Sequence, residues 1–253
     1  MTSTPGTPHD PSALDAALAD PALAVVVDRA EGSYRAEGSD PPPVMVAFGG
    51  LSNGTDAPPY EFVRQTGALG VHRVFVRDLG QCWYQRGLPG AADGVDAAVA
   101  ALAGVLDGLG PGRRVFVGNS SGAFAAVLLG VLGGADEMVA FGPLASVTRW
   151  SRLASRDRRW PAQVRAARRA ASDRSHVDLE RLLHAHPGHG PVTVHYGDLD
   201  PRDTRSALRL GRLPGVRAVA HPGGHLFIRK LRDAGELQPI LEAALRPRPD
   251  RSP

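Results

Sequence analysis

The stretch between residues 115 and 130, VFVGNSSGAFAAVLLG, constrains the fold more than any other part of the chain. A short apolar run leads into Gly118-Asn119-Ser120-Ser121-Gly122, and a segment of small residues, typical of a helix, follows. This is the G-x-S-x-G pattern in a strand–turn–helix context. The turn needs glycines because side chains at positions 118 and 122 would collide with the adjoining strand and helix. The pattern therefore predicts that the Ser120 hydroxyl stands above a sheet edge, at the N-terminus of the next helix.

Apolar runs that end in turns alternate with helical patterns along most of the chain. The predicted strands cover residues 44–50, 73–78, 114–118, 137–142, 192–197 and 216–220. Helices are predicted over residues 91–109 and 204–213, after Ser120, and as one amphipathic helix over residues 226–245. Nearly continuous apolar strands that alternate with helices predict a mostly parallel, doubly wound sheet covered on both faces. The runs AVVVDR and SYRAE near the start are expected to form an antiparallel hairpin at its edge.

Length and composition limit the class of protein. A chain of 253 residues can form one large α/β domain, which we place at residues 13–245, between disordered tails at residues 1–12 and 246–253. Cys82 is the only cysteine, which excludes an intramolecular disulfide and fits a reducing cytoplasm. No apolar run approaches the roughly 20 residues of a membrane span, and the N-terminus does not resemble a signal peptide. We therefore expect a cytoplasmic protein with no membrane partner.

Residues 149–187 interrupt the alternation, because they contain no strand pattern and are rich in arginine. Ten arginines stand against four acidic residues there, an excess of six, whereas the whole chain has a net charge of +3. An insertion at this point is expected to form a helical lid over the carboxyl edge of the sheet. Its charge has two readings: a solvated helical face, or a docking site for an acidic partner or a phosphate-bearing substrate. No aromatic-interleaved basic surface accompanies the arginines, so nucleic acid is not an expected partner.

Two later strands end in residues that fit the chemistry of a reactive serine. A nucleophilic serine needs a base, and the base needs a carboxylate to orient it. The strand at 192–197 is followed by Asp198 and Asp200, and the strand at 216–220 is followed by His221 and His225. Catalytic groups gather at strand tips in open parallel sheets. The order Ser…Asp…His thus predicts a catalytic triad.

On these motifs the chain resembles the α/β-hydrolase superfamily: G-N-S-S-G at 118–122, G-D-L-D-P at 197–201 and G-G-H at 223–225. The resemblance covers about residues 43–245. It implies that Ser120 is the nucleophile and His225 the base. It also implies that Asp200 orients the base, because the family's acid commonly lies three positions after the glycine that closes this strand. Asp198 is the alternative acid, and His221 is the alternative base.

The resemblance also implies an oxyanion hole made of backbone N–H groups. One donor is Ser121, directly after the nucleophile. The second is Leu51 or Gly50, depending on how the turn after the strand at 44–50 is aligned. The chain has Phe48-Gly49 where the family frequently has His-Gly, so the position of the second donor is left open.

Three other residues are candidates for the substrate pocket. Trp83 and Tyr84 follow the strand at 73–78 and are expected near the pocket mouth, together with Asn119 of the nucleophile turn. Their aromatic rings suit a flat or apolar acyl group, although core packing or loop anchoring explains them equally well. The irregularly spaced His184, His186 and His189 are expected in a solvated loop, so neither a metal site nor a cofactor is predicted.

The chemistry implied by the resemblance is acyl transfer through an acyl-Ser120 intermediate. The substrate would be a small ester or thioester, and the enzyme a hydrolase (esterase or thioesterase) or an acyltransferase. The arginine-rich segment favours an acyl group carried by an acidic acyl carrier protein or by coenzyme A, as in specialised biosynthesis. Two rival functions stay open: a non-catalytic α/β-hydrolase-like binding protein, and a cofactor-free lyase or dioxygenase on the same fold.

Overall fold

Seven strands form one sheet at the centre of the protein. The computed structural model describes residues 11–30, 41–51, 60–89 and 93–246. The strands are β1 (Val25–Asp28), β2 (Val44–Phe48), β3 (His72–Val76), β4 (Arg114–Asn119), β5 (Glu137–Phe141), β6 (Val192–Gly197) and β7 (Val216–His221). Each of the six strands predicted from its apolar run is present, with bounds that differ by two residues or fewer.

The strand order is β1-β3-β2-β4-β5-β6-β7. All neighbours are parallel except β1 and β3, so the prediction of a mostly parallel, doubly wound sheet is confirmed. The run AVVVDR does supply an antiparallel edge strand, but its partner in the sheet is β3. The segment SYRAE, predicted as the second strand of a hairpin, lies outside the described residues.

Helices cover both faces of the sheet. They are α1 (Pro11–Ala19), α2 (Val63–Thr66), α3 (Val95–Asp107), α4 (Ser121–Leu132), α5 (Arg149–Ala154), α6 (Pro161–Ala170), α7 (Leu179–Ala185), α8 (Pro201–Leu210), α9 (Phe227–Asp233) and α10 (Leu237–Leu245). Side chains alternate between two cores along β2: Val44 and Val46 pack with α3, α4 and α7, whereas Met45 and Ala47 pack with α9 and α10. No described helix combines the length and the apolar character that crossing a membrane requires.

The structure differs from the sequence prediction at several boundaries. The helix predicted over residues 226–245 is two helices, because Gly235 breaks it with a left-handed φ of 73° between α9 and α10. The sequence predicts a disordered tail over residues 1–12, but α1 begins at Pro11. The rest of that tail, and residues 247–253, lie outside the described part of the chain.

The arginine-rich segment is helical, as predicted. It contains α5, α6, a 3-10 turn (Ser175–Val177) and α7. However, α7 packs against α4, and its Leu179, Leu182 and Leu183 are buried in the main core. Helix α7 therefore belongs to the layer that covers the sheet. The role of α5 and α6 as a lid stays a prediction.

A pair of histidines lies at the carboxyl ends of β6 and β7. The ring of His195 stacks on Phe141, with centroids 4.8 Å apart, and its Nδ1 lies 2.8 Å from Nε2 of His221. Burial, together with the charges of His221 and Arg217, lowers the pKa of His195 from 6.5 to about 3. The ring is therefore neutral at every pH at which the protein is expected to work.

This buried ring predicts loss of stability in acid. The unfolded chain binds a proton on His195 below pH 6.5, whereas the folded chain does so only near pH 3, so the free energy of unfolding falls as the pH drops between these values. From pH 7 to pH 5 this residue should remove about 2 kcal/mol of stability. In urea unfolding, His195→Phe should lose this part of the pH dependence. His184→Phe, exposed on α7, is the control and should keep it.

Candidate active site

Ser120 lies on a strained turn between β4 and α4. Its φ of 54° and ψ of −114° are unusual for a residue with a side chain. The turn is possible only because its neighbours are glycines: a Cβ at Gly118 would overlap the carbonyl of Gly122, and a Cβ at Gly122 would overlap the carbonyl of Phe48. The sequence pattern correctly predicted this turn.

The imidazole of His225 reaches the hydroxyl of Ser120. Its Nε2 lies 3.2 Å from Oγ of Ser120, although the two residues are 105 positions apart in the chain. His225 is carried by the loop after β7, which packs so closely on β6 that a Cβ at Gly197 would overlap the carbonyls of Gly223 and Gly224. Gly197, the glycine that closes β6, is thus required for this approach.

The carboxylate that contacts His225 is that of Asp203. Its Oδ2 lies 2.6 Å from Nδ1 of His225, and the side chain is 0% exposed. An ionised carboxylate can only accept, so Nδ1 donates to it, which leaves Nε2 free to accept from Ser120. Asp203 sits in the first turn of α8, where the helix dipole favours a negative charge. Ser120, His225 and Asp203 form one continuous chain of hydrogen bonds.

The sequence prediction of Asp200 as the partner of His225 is wrong. Asp200 is the N-cap of α8, because Pro201 occupies the first helical position and the Asp200 carboxylate accepts from the backbone N–H of Arg202. Asp203, three residues after this cap, projects from the first turn of the helix. A sequence signal for it existed: Asp203, Ala207 and Leu210 share the buried face of α8, and a carboxylate on such a face is unusual.

Asp198 and His221, the second candidates for acid and base, have different partners in the structure. Asp198 accepts from the backbone N–H of Gly223 at 3.1 Å and so holds the loop that carries His225. His221 contacts His195, and its ring stacks on Phe227 at 5.4 Å. Neither residue takes part in the chain of hydrogen bonds that begins at Ser120.

Two residues that the sequence did not predict come from the turn before α6. Arg159 donates to Oδ1 of Asp203 at 3.0 Å and to Asp157 at 2.8 Å. The next residue, Trp160, has a left-handed φ of 49°, and its ring lies 5.4 Å from that of His225, centroid to centroid. The arginine-rich segment therefore contacts both the acid and the base of the site.

Arg159 belongs to a group of charged side chains that also includes Asp200 and Arg202. Its guanidinium also lies 3.6 Å from Asp200, which in turn binds Arg202 at 3.0 Å. Burial alone would raise the pKa of Asp200, but the hydrogen bonds from Arg202 and the charge of Arg159 outweigh it and lower the pKa to about 2. Asp200 therefore stays ionised and serves to fix the start of α8.

The turn after β2 brings backbone N–H groups close to Ser120. A Cβ on Gly50 would lie 3.7 Å from the Cβ of Ser120. The N–H of Gly50 already donates to Oε1 of Glu61 at 3.0 Å, so it is not free to bind a substrate oxygen. This bond argues against Gly50, which leaves Leu51 of the two donors that the sequence left open. Together with Ser121 at the start of α4, Leu51 is the proposed oxyanion donor.

Glu61 connects this turn to the nucleophile turn. Besides the bond from Gly50, its carboxylate accepts a hydrogen bond from the side chain of Asn119. Burial is the largest influence on Glu61 and raises its pKa, although both hydrogen bonds oppose the shift. The side chain of Asn119, predicted to line the substrate pocket, is therefore held by Glu61.

Trp83 and Tyr84, the other predicted pocket residues, are buried at 1% and 0% exposure. The hydroxyl of Tyr84 lies within hydrogen-bond distance of the carbonyls of Gly49 and Val76, so the ring anchors the turn that follows β2. Tyr84 is therefore a core residue that anchors a loop. Trp83 packs, with ring centroids 6.1 Å apart, on Trp160, the residue whose ring contacts His225.

The three histidines between residues 184 and 189 each contact a backbone carbonyl. Nδ1 of His184, His186 and His189 lies 2.7–2.9 Å from the carbonyl oxygens of Glu180, Leu182 and Gly190, respectively. Within the described residues, no three His, Cys, Asp or Glu side chains are grouped so that they could hold a metal ion.

Comparisons with known proteins find similarity of structure alone. No family model and no curated protein sequence matches the chain. Among solved structures, it is similar to FphF, a fluorophosphonate-binding serine hydrolase of Staphylococcus aureus (TM-score 0.63, 12% identity, 90% of this chain and 96% of that one). It is also similar to the S-formylglutathione hydrolase FrmB of S. aureus (0.61, 12%, 88% and 92%) and to the capsule O-acetyltransferase of Neisseria meningitidis serogroup A (0.59, 10%, 87% and 90%).

At this level of identity the similarity concerns the fold. It supports the arrangement seen in this chain, a seven-stranded, mostly parallel sheet with helices on both faces. The protein has the α/β-hydrolase fold.

Proposed function

We propose that this protein is a serine enzyme that transfers an acyl group from an ester or thioester through an acyl-Ser120 intermediate. The single observation that carries the proposal is the continuous chain of hydrogen bonds from Ser120 through His225 to the fully buried Asp203. If Ser120 were only a solvent-facing helix cap, it would need neither His225 nor Asp203. In this arrangement, a base and an orienting acid are both in place.

The acylation step follows from the geometry. Oγ of Ser120 attacks the carbonyl carbon, and its proton passes to Nε2 of His225. The imidazolium that forms is stabilised by Asp203, which accepts from Nδ1. The N–H groups of Ser121 and Leu51 stabilise the negative charge on the carbonyl oxygen, and each such donor contributes about 3–4 kcal/mol in comparable sites. His225 then protonates the leaving group as its bond to the carbonyl carbon breaks.

The second half of the cycle releases the acyl group. An acceptor, either water or a hydroxyl, thiol or amine, gives its proton to His225 as it attacks the acyl-serine. Ser120 recovers the proton when the intermediate collapses. Water as acceptor makes the enzyme an esterase or thioesterase, and any other acceptor makes it an acyltransferase.

We further propose that the acyl group reaches the enzyme on a carrier. The excess of arginine in the segment that contacts the site supports an acyl group held by an acidic acyl carrier protein or by coenzyme A. The structurally similar capsule O-acetyltransferase has also been solved in complex with CoA. The cytoplasmic location expected from the single cysteine belongs to the same proposal.

A covalent probe tests the proposed nucleophile. A fluorophosphonate should form one adduct per chain, on the tryptic peptide of residues 115–149, and fragmentation should place it on Ser120 and not on Ser121. A p-nitrophenyl ester should release a burst of p-nitrophenol equal to the protein concentration if an acyl-enzyme accumulates. A protein that takes up no probe and gives neither burst nor turnover would instead be a binding protein.

A further inference from the structure

The arginines of residues 149–212 fall into two groups. Those near the start of α8 and around α5 are engaged: Arg152 and Arg159 with Asp157, Arg202 with Asp200, Arg205 with the carbonyl of Ser155, and Arg209 with Glu180. The other arginines of this range, Arg165 and Arg169 of α6 among them, have no side-chain ion pair or hydrogen bond among the residues that the structure describes. Two of these arginines, Arg165 and Arg169, are one helical turn apart and so share one face of α6.

This face borders a groove with a volume of about 720 Å³. On one side of the groove are Ala162, Arg165, Ala166 and Arg169, which recur at helical spacing along α6. On the other side are Gln85, Arg86, Asp93 and Gly94. Three guanidinium groups thus face a single carboxylate, so the groove is suited to an anion, and the guanidinium fork matches the geometry of a phosphate as it does that of a carboxylate.

The side chain of Gln85 is a second, independent observation that points to a ligand in the groove. It is 0% exposed, and its Nε2 donates to the carbonyls of Trp83 and His176 at 3.2 and 2.8 Å. These two bonds fix the orientation of the amide, because a flipped amide would direct its oxygen at two carbonyl oxygens. The Oε1 atom is then a buried acceptor without a partner in the described part of the protein. Such an atom calls for an N–H or O–H donor.

The two segments that border the groove begin beside residues that contact the reacting groups. Trp160, which lies against His225, directly precedes α6, and Trp83, which packs on Trp160, is two residues before Gln85. At 1.5 Å per residue, Arg165 and Arg169 lie about 8 and 14 Å along the helix axis from Trp160. An anion bound by these two arginines would therefore lie this far, along the helix axis, from the residue whose ring contacts His225.

From these positions we propose that the groove between α6 and the residues Gln85, Arg86, Asp93 and Gly94 binds the phosphopantetheine part of the leaving group of a thioester substrate. Its phosphate binds Arg165, Arg169 and Arg86, and an amide N–H donates to Oε1 of Gln85. The thioester then lies beside Trp160, within reach of Ser120. The placement of the thioester depends on the proposed acyl-transfer function, whereas binding of the phosphate in the groove does not.

A series of thioesters with one acyl group tests the role of the phosphate. We expect the KM of butyryl-4′-phosphopantetheine to be about 10- to 100-fold lower than that of butyryl-pantetheine, because charge-assisted bonds to phosphate are among the strongest polar contacts. The double variant Arg165→Glu/Arg169→Glu should lose this difference while it keeps the kcat for butyryl-pantetheine. Arg168→Glu is the control: the same type of substitution on the same helix, but outside the groove, should preserve the difference.

The results of these experiments distinguish phosphate binding in the groove from the acyl-transfer reaction. A phosphate preference that survives the double variant, or that disappears equally in Arg168→Glu, overturns the proposal. If no thioester is turned over, calorimetry with 4′-phosphopantetheine and pantetheine decides: binding that needs both the phosphate and the two arginines supports the groove and contradicts the acyl-transfer function. No binding and no turnover contradict both.

The same assay distinguishes the two sources of phosphopantetheine. Butyryl-coenzyme A should match butyryl-4′-phosphopantetheine if the free cofactor is the natural leaving group, since its additional nucleotide can extend into solvent from the open groove. A coenzyme A thioester that is used poorly, beside a phosphopantetheine thioester that is used well, indicates delivery by a carrier protein. Either result keeps the groove as the phosphate site.

Discussion

Ser120→Ala should reduce kcat by about 10⁶-fold, because removal of the hydroxyl eliminates the covalent intermediate and leaves only binding and the oxyanion donors. The thermal unfolding temperature should change little, since the Ser120 side chain has no structural hydrogen bond besides that to His225 among the described residues. Alanine also leaves the backbone of the turn in place. Turnover of a p-nitrophenyl ester and of a thioester, measured beside thermal unfolding, gives both quantities on the same preparation.

Ser121 provides the matched control for this prediction. Its hydroxyl is buried and has no hydrogen-bond partner in the described part of the chain, so Ser121→Ala removes an unsatisfied polar atom and keeps the backbone N–H that we assign to the oxyanion hole. We expect activity within a few-fold of the wild type and equal or slightly higher stability. A loss of activity in Ser121→Ala as large as that in Ser120→Ala would contradict the assignment of the nucleophile.

Local patterns in the sequence were sufficient to predict Ser120 and the proximity of His225. The G-x-S-x-G pattern reports a steric requirement that only glycine meets at Gly118 and Gly122, so the turn can be predicted without knowledge of distant residues. His225 could be placed because parallel strands end at a common edge, which brings the tips of β4 and β7 to the same side of the sheet.

Asp203 could not be predicted by counting from the end of β6. Such a count places the acid in the loop, but Pro201 starts α8 directly after Asp200, so the loop ends at Asp200 itself. The relevant information was the burial of one face of α8, which depends on the packing of the helix against the sheet. Periodicity shows that such a face exists but does not show which catalytic group it meets.

The contacts of Arg159, Trp160 and Glu61 were out of reach for a different reason. Each joins segments that are far apart in the chain, and nothing in the local pattern distinguishes Arg159 from the other arginines of residues 149–187. Composition indicated that this segment is basic. It could not separate arginines that are engaged with carboxylates from those that are free to bind a ligand.

Asp203→Asn should reduce kcat by about 10⁴-fold, the loss seen when the acid of a serine triad becomes an amide. The carboxylate of Asp203 can only accept, which forces the proton of His225 onto Nδ1. An asparagine can direct its NH₂ group at Nδ1, which places the proton on Nε2 and removes the acceptor that Ser120 needs. Rates of acylation from the burst phase, measured over a range of pH, would report this loss directly.

Asp200→Asn is the matched comparison, because both residues lie at the start of α8 and both contact Arg159. Asparagine is about as good an N-cap as aspartate, so α8 should persist and activity should stay within a few-fold of the wild type. The opposite ranking, with Asp200→Asn inactive and Asp203→Asn active, would mean that Asp200 orients His225 in solution. Since Asp203 is buried against His225 and Arg159, such a result would require α8 to rotate, and the hydrogen-bond chain proposed here would then not be the working site.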